Sequence, residues 1–183
     1  ALKCEDPVLV IEHTDLYGTS GPGPLEDFDY CVPLGKARVA RSGSTFTVVT
    51  YLSMTPLAAE VAGEMDLDAE IIDLRSLDRA GIDWQTIGES IRKTNNVVVL
   101  EQGPITTSYG AMLADEIQRR FFDHLDQPVQ RIHGGEASPS VSKVLERSAF
   151  VGKEEIRAGF SRMMSEMGCP LPVQERPLAE AAG

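Results

Sequence analysis

The sequence predicts an α/β fold of three layers, a mostly parallel sheet with helices on both faces. Short apolar, β-branched runs at residues 45–52, 69–74, 97–100 and 129–132 read as strands, and VVVL at 97–100 is continuous in Val and Leu, as in strands buried on both sides. Between and after them lie stretches of helical periodicity, and a strand-helix alternation builds a parallel sheet with crossover helices. A chain of 183 residues is long enough for one such domain with a substantial core.

The elements follow in order. Residues 45–52 read as a central strand, and residues 56–65 as a helix whose Pro56 suits the first turn. Residues 69–74 form a second strand. The helix over 83–93 has Asp83 as N-cap and Trp84, Ile87 and Ile91 along one face. After the strand at 97–100, the longest helix spans 109–122 with Met112, Leu113, Ile117 and Phe121 on its apolar side. The strand at 129–132 is the fourth of the core, and a helix over 153–164 closes the domain through Ile156, Phe160 and Met163. Nothing repeats at solenoid spacing.

The ends read differently. Residues 8–11 form a short apolar run, predicted as a buried strand without a visible partner, and residues 18–35, GTSGPGPLEDFDYCVPLG, are rich in Gly, Pro and acid without periodicity. The organisation expected is therefore the end of an upstream domain at 1–17, a linker at 18–35, the main domain at 36–166 and a poorly ordered tail at 167–183. On this reading the chain starts within an earlier domain and carries no complete active site.

Composition narrows the function classes. Asp and Glu outnumber Lys and Arg by 28 to 17, which repels phosphate backbones and leaves no basic stripe for nucleic acid. No apolar run approaches the roughly 20 residues of a membrane span. Cys4, Cys31 and Cys169 are widely spaced, with no C-x-x-C pair, and read as reduced thiols of a cytoplasmic protein.

Groups able to do chemistry are few. Of three histidines, His133 ends a strand before two glycines, and with Glu136 it could act as a general acid or base; a turn or capping role is the alternative. Glu101 also ends a strand, and EQGPITTSYGA leads into a helix whose free N–H groups could hold an anion, or could be satisfied by Glu101 itself. Arg75 follows a strand and could pair with Glu101 or Asp73, or clamp a carboxylate or phosphate. There is no G-x-G-x-x-G, no P-loop lysine and no G-x-S-x-G elbow. Asp126 reads from its pattern as a solvated surface carboxylate.

Five stretches in order, EDPVLVIEHTDLYG, VPLGKARVARSGSTFTVVTY, IIDLRSL, IRKTNNVVVLEQG and DQPVQRIHG, resemble the β subunit of thiamine diphosphate-dependent 2-oxo acid dehydrogenases of the pyruvate, branched-chain or acetoin type. The resemblance implies a transketolase C-terminal domain-like fold preceded by the end of a pyrimidine-binding domain. It implies an α subunit and a second β subunit as partners in a heterotetramer, with thiamine diphosphate and Mg bound mainly by parts outside this chain, which alone would be inactive in decarboxylation. It also implies that Asp126, in the Leu-acid-x-Pro-Val segment, pairs with a basic residue of the dihydrolipoyl acyltransferase. Ala1, Cys4 and Asp6 fall where the family holds a structural potassium ion. The sequence departs from the family at DRAG (78–81), at SYG (108–110) and in HGGEASPSVSKVLE (133–146). Two other readings use the same residues: the C-terminal domain of a transketolase-like or deoxyxylulose phosphate synthase-like enzyme, and a free-standing ligand module built on Arg75, Glu101 and His133.

Overall fold

A computed structural model describes residues 1–169 except Pro22, Pro24, Leu25, Phe28 and 137–139. Five strands form one sheet: β1 (Arg38–Arg41), β2 (Phe46–Thr50), β3 (Ala69–Asp73), β4 (Val97–Pro104) and β5 (Gln130–Gly134), in the order β1-β3-β2-β4-β5. All neighbours pair in parallel except β1, which runs antiparallel along β3 with Arg38 opposite Asp73. The mostly parallel sheet expected from the sequence is present, with an added edge strand. RVAR gives no continuous apolar run, because an edge strand is covered less than a central one, and β1 is exposed along most of its length.

Side-chain alternation sorts the strands into two cores. Phe46, Val48, Ile71, Val98 and Leu100 face α1 (Met54–Glu64) and α5 (Lys153–Glu166), where Val61, Ile156, Phe160 and Met163 are fully buried. Val49, Ile72, Val97 and Val99 face α2 (Trp84–Thr94) and α3 (Tyr109–Phe121), meeting Ile87, Ile91, Leu113 and Ile117. The predicted helices and strands lie within a few residues of these bounds. The short helix α4 (Lys143–Arg147) was not predicted; its Val144 and Leu145 are exposed, so it carries no burial pattern to read.

The expected strand at residues 8–11 is not formed. Leu9, Val10 and Ile11 are 90%, 70% and 61% exposed and make no ladder. A strand owes its stability to backbone pairing and burial, and this run has neither. The tail expected at 167–183 lies outside the described residues from 170 onward.

Asp83 caps α2 as its position predicts, accepting from Thr86 N at 3.2 Å, and it also ties down the entry to β1 by accepting from Ala37 N at 3.1 Å. Burial pushes its carboxyl pKa up, but the hydrogen bonds from Thr86 and Ala37 and the charge of Lys36 outweigh this and hold it below the usual range. Glu70 is held low in the same way, its burial overcome by Lys93, Ser90 and Gly43 N–H. A carboxyl with a depressed folded-state pKa contributes stability above its unfolded value, about 4, and that contribution is lost as pH falls through the folded value. Asp83→Ala should therefore lower stability by about 1–2 kcal/mol at neutral pH. In urea titrations the gap from the parent should close as the pH is taken below about 4.

Candidate functional site

In a doubly wound sheet, ligands enter at the carboxyl ends of neighbouring strands whose following helices leave to opposite faces. Here those strands are β2, followed by α1, and β4, followed by α3. The chain fills that crevice with its own side chains. Glu101 on β4 is completely buried, and its carboxylate accepts from Tyr51 Oη at 3.1 Å, from Gly110 N at 2.7 Å, from Ser108 Oγ and from Arg131 Nη2 at 2.9 Å. Gly110 is the second residue of α3, so the helix N-terminus that could have held an exogenous anion holds Glu101 instead. A Cβ on Gly110 would lie 2.1 Å from Glu101 Oε1, which explains a glycine there. Burial, then the charge of Glu101, pushes the Tyr51 phenol far above its ordinary value, so it remains a proton donor to the carboxylate.

The structure corrects the expected pairing of Arg75. Glu101 is neutralised by Arg131 from the neighbouring β5, and Asp73 by Arg38 from β1 at 3.1 Å. Arg75 is exposed, has φ of 58° and forms no ion pair among the described residues. Arg131 had no motif to mark it; the usable signal was its place on β5, whose side chains alternate toward the end of β4. Its Nη1 also donates to Ile105 O at 2.6 Å and its Nη2 to Ser108 Oγ at 2.9 Å, binding the β4–α3 loop.

His133 and Glu136 are not joined into an acid-base pair. The His133 ring contacts Gly134 O at 2.9 Å, while Glu136 accepts from Thr106 Oγ1 at 3.3 Å. His133 and Glu136 thus hold neighbouring loop atoms rather than each other.

Ala1, Cys4 and Asp6 lie in a turn closed by Cys4 N donating to Ala1 O at 3.0 Å. Hard cations take a shell of about six oxygen ligands, which three residues cannot supply, so these positions alone do not fit a potassium ion. No group of three or more His, Cys, Asp or Glu among the described residues could hold a metal. A diphosphate with its Mg fits neither of the helix N-termini already taken by Asp83 and Glu101.

Asp126 is exposed. Its N–H donates to Asn95 O at 3.0 Å, fixing the loop between Phe122–His124 and β5, and its carboxylate has no partner among the described residues. Phe122, four residues earlier, is 68% exposed.

The family model for the C-terminal domain of transketolase matches residues 35–156. The chain belongs to this family. Among curated proteins it is 35% identical over 161 residues to the rice protein named pyruvate dehydrogenase E1 component subunit beta-1, mitochondrial, covering 85% of this chain and 42% of that one. It is 34% identical over 178 residues to the 2-oxoisovalerate dehydrogenase subunit beta of Pseudomonas aeruginosa, covering 89% and 50%. The pyruvate dehydrogenase E1 component subunit beta of Rickettsia felis is 32% identical over 161 residues, with 85% and 48% covered. The chain thus spans half or less of the length of these relatives. A solved structure titled as a split-gene transketolase, inactive beta4 tetramer, superposes with a TM-score of 0.62 at 22% identity over 80% of this chain and 48% of that one, which bears on the fold alone. No helix among the described residues is long and apolar enough to cross a membrane.

Proposed function

We propose that this transketolase C-terminal domain serves as the assembly part of the β subunit of a cytoplasmic, thiamine diphosphate-dependent 2-oxo acid dehydrogenase. The observation that carries the reading is similarity to E1 β subunits over 85–89% of the chain. The arrangement at the sheet's carboxyl edge supports it. The crevice between β2 and β4 is closed by Tyr51, Glu101 and Arg131, which suits a domain that packs and positions rather than one that turns over substrate on its own. Residues 1–17 are assigned to the end of a preceding pyrimidine-binding domain, supported by the unpaired, exposed Leu9, Val10 and Ile11. The thiamine cofactor, whose ring forms the nucleophile for decarboxylation when bound, would be held by that domain and an α subunit in a heterotetramer.

Within this reading Asp126 docks the dihydrolipoyl acyltransferase. An exposed carboxylate without a partner among the described residues, four positions after an exposed aromatic, can meet a basic side chain without breaking a contact of its own. Asp126→Ala in the assembled β subunit should weaken binding to the acyltransferase's subunit-binding domain by about tenfold or more, measured by isothermal titration. The same change at exposed Asp115, which pairs with Arg119 within its own helix, should leave affinity within about twofold. Equal effects at the two positions would remove the docking role.

A further inference from the structure

Helix α5 ends beside the loop that carries Asp126. Met163 Sδ accepts from Gln127 Nε2 at 2.9 Å, and Glu166 accepts from Gln130 Nε2. The helix closes in a left-handed glycine turn: Gly168 has φ of 68° and donates to Ser165 O, while Cys169 N donates to Met164 O at 3.0 Å and Cys169 packs back against the core. The chain after Cys169 therefore leaves from a fixed point near the 122–130 loop. We propose that residues 170–178 lie across the surface of Phe122 and Asp126 and compete with the acyltransferase for it, an inference that rests on the docking role proposed for Asp126.

Surface and segment match in chemistry. Phe122 is largely exposed, and Asp123 and Asp126 are exposed without an ion pair among the described residues. Such a surface takes an apolar group and a cation close together. The segment PLPVQERPL supplies both: Arg176 is the one basic residue of 170–183, and Leu178 lies two positions beyond it. In an extended chain, residues two apart share a side, so Arg176 and Leu178 can face the surface while Glu175 faces away from it.

Reach and ordering cost decide whether so short a segment can occupy the site. Met163, which touches Gln127, is separated from Cys169 by about 9 Å of helix. An extended stretch from Cys169 to Arg176 spans about 20 Å, enough to return along that helix and meet Asp126. Pro170, Pro172 and Pro177 have a fixed φ, which lowers the entropy lost in laying the segment down, and they bring no N–H group that burial would leave unpaired. Tethering gives a short segment an effective concentration in roughly the millimolar range. One exposed ion pair and one leucine contact bind with a dissociation constant of about a millimolar. The segment then covers the surface about half the time or more, and raises the acyltransferase's apparent dissociation constant about two- to fivefold.

The test uses the full natural chain in its assembled complex and reads it in two ways. Without acyltransferase, a water-soluble carbodiimide joins the amine introduced by Arg176→Lys to a carboxylate in contact with it, and peptide mass spectrometry locates the link. The expected link is to Asp126, lies within single chains when light and isotope-labelled copies are assembled together, and is lost with Asp126→Asn. Isothermal titration then measures the acyltransferase's subunit-binding domain. Removing residues 170–183 should tighten its binding about two- to fivefold, and Arg176→Gln about twofold. Arg176→Gln leaves every described residue intact, which keeps the test valid should the truncated chain fail to assemble. No link, a link away from residues 122–126, a link only between chains, as a second copy's segment would give, or an affinity unmoved or weakened by both changes would each overturn the proposal. A link to Asp126 with no acyltransferase binding in any form would remove the docking role and with it the competition, while the contact itself stood.

Discussion

Replacing Glu101 with alanine should cost about 3–5 kcal/mol of folding stability, because it strands Arg131, whose side chain is only 18% exposed, without its counter-charge. Arg131 already has one buried nitrogen, Nε, without a partner, so little spare bonding is available to compensate. The Gly110 N–H, the Ser108 hydroxyl and the Tyr51 hydroxyl would each lose an acceptor in the same step. Glu101→Gln keeps the shape and one acceptor oxygen but not the charge, and should cost less, about 1.5–3 kcal/mol. Urea unfolding followed by circular dichroism measures both. The pair of variants also separates two roles. If Glu101 served a bound ligand or a reaction, the glutamine form would lose that activity while remaining nearly as stable as the parent. A loss of stability that grows from glutamine to alanine is the expected result for a residue that closes the sheet edge.

The same cluster shows how far the sequence could be read. The apolar strand leading to Glu101 and the helix entry after it were legible, because a continuous apolar strand followed by a turn and a helical period has few other meanings; that β4 runs on through Glu101 to Pro104 was not, since EQGP carries no apolar pattern. Its partner was not. Arg75 is near Glu101 in the order of elements, but sequence pattern does not reveal strand order. With β3 and β4 separated by β2, Arg75 is two strands away, while Arg131 arrives on the adjacent β5. The central strands and four of the five helices were readable since each presents a periodic apolar face. β1 and α4 were not, since β1 is covered on one edge only and α4 buries none of its side chains.

Phe160→Ala should remove about 3–5 kcal/mol, and the location of the damage tests where the domain ends. Phe160 is fully buried on α5, meets the Phe46 ring edge-on at a centroid distance of 5.2 Å, and sits with Met163 over β2 and β4. The family match stops at residue 156, one turn into this helix, yet most of the apolar contact of α5 lies beyond it. Ion pairs from Lys153 to Glu60 and Glu64, and from Arg157 to Glu64, join α5 to α1, but they are solvent-accessible and contribute little compared with the ring. If α5 is an integral layer, Phe160→Ala and removal of everything after residue 156 should both lower stability, the truncation by more, since it uncovers Phe46, Val48 and Ile71 together. Differential scanning calorimetry should then show a single transition at lower temperature for Phe160→Ala. The truncated chain should bind a hydrophobic dye without a cooperative transition. If the truncated chain instead unfolds cooperatively near the parent temperature, α5 is an accessory to the domain, and the three-layer assignment reduces to a sheet covered on one face by α2 and α3 and on the other by α1 alone.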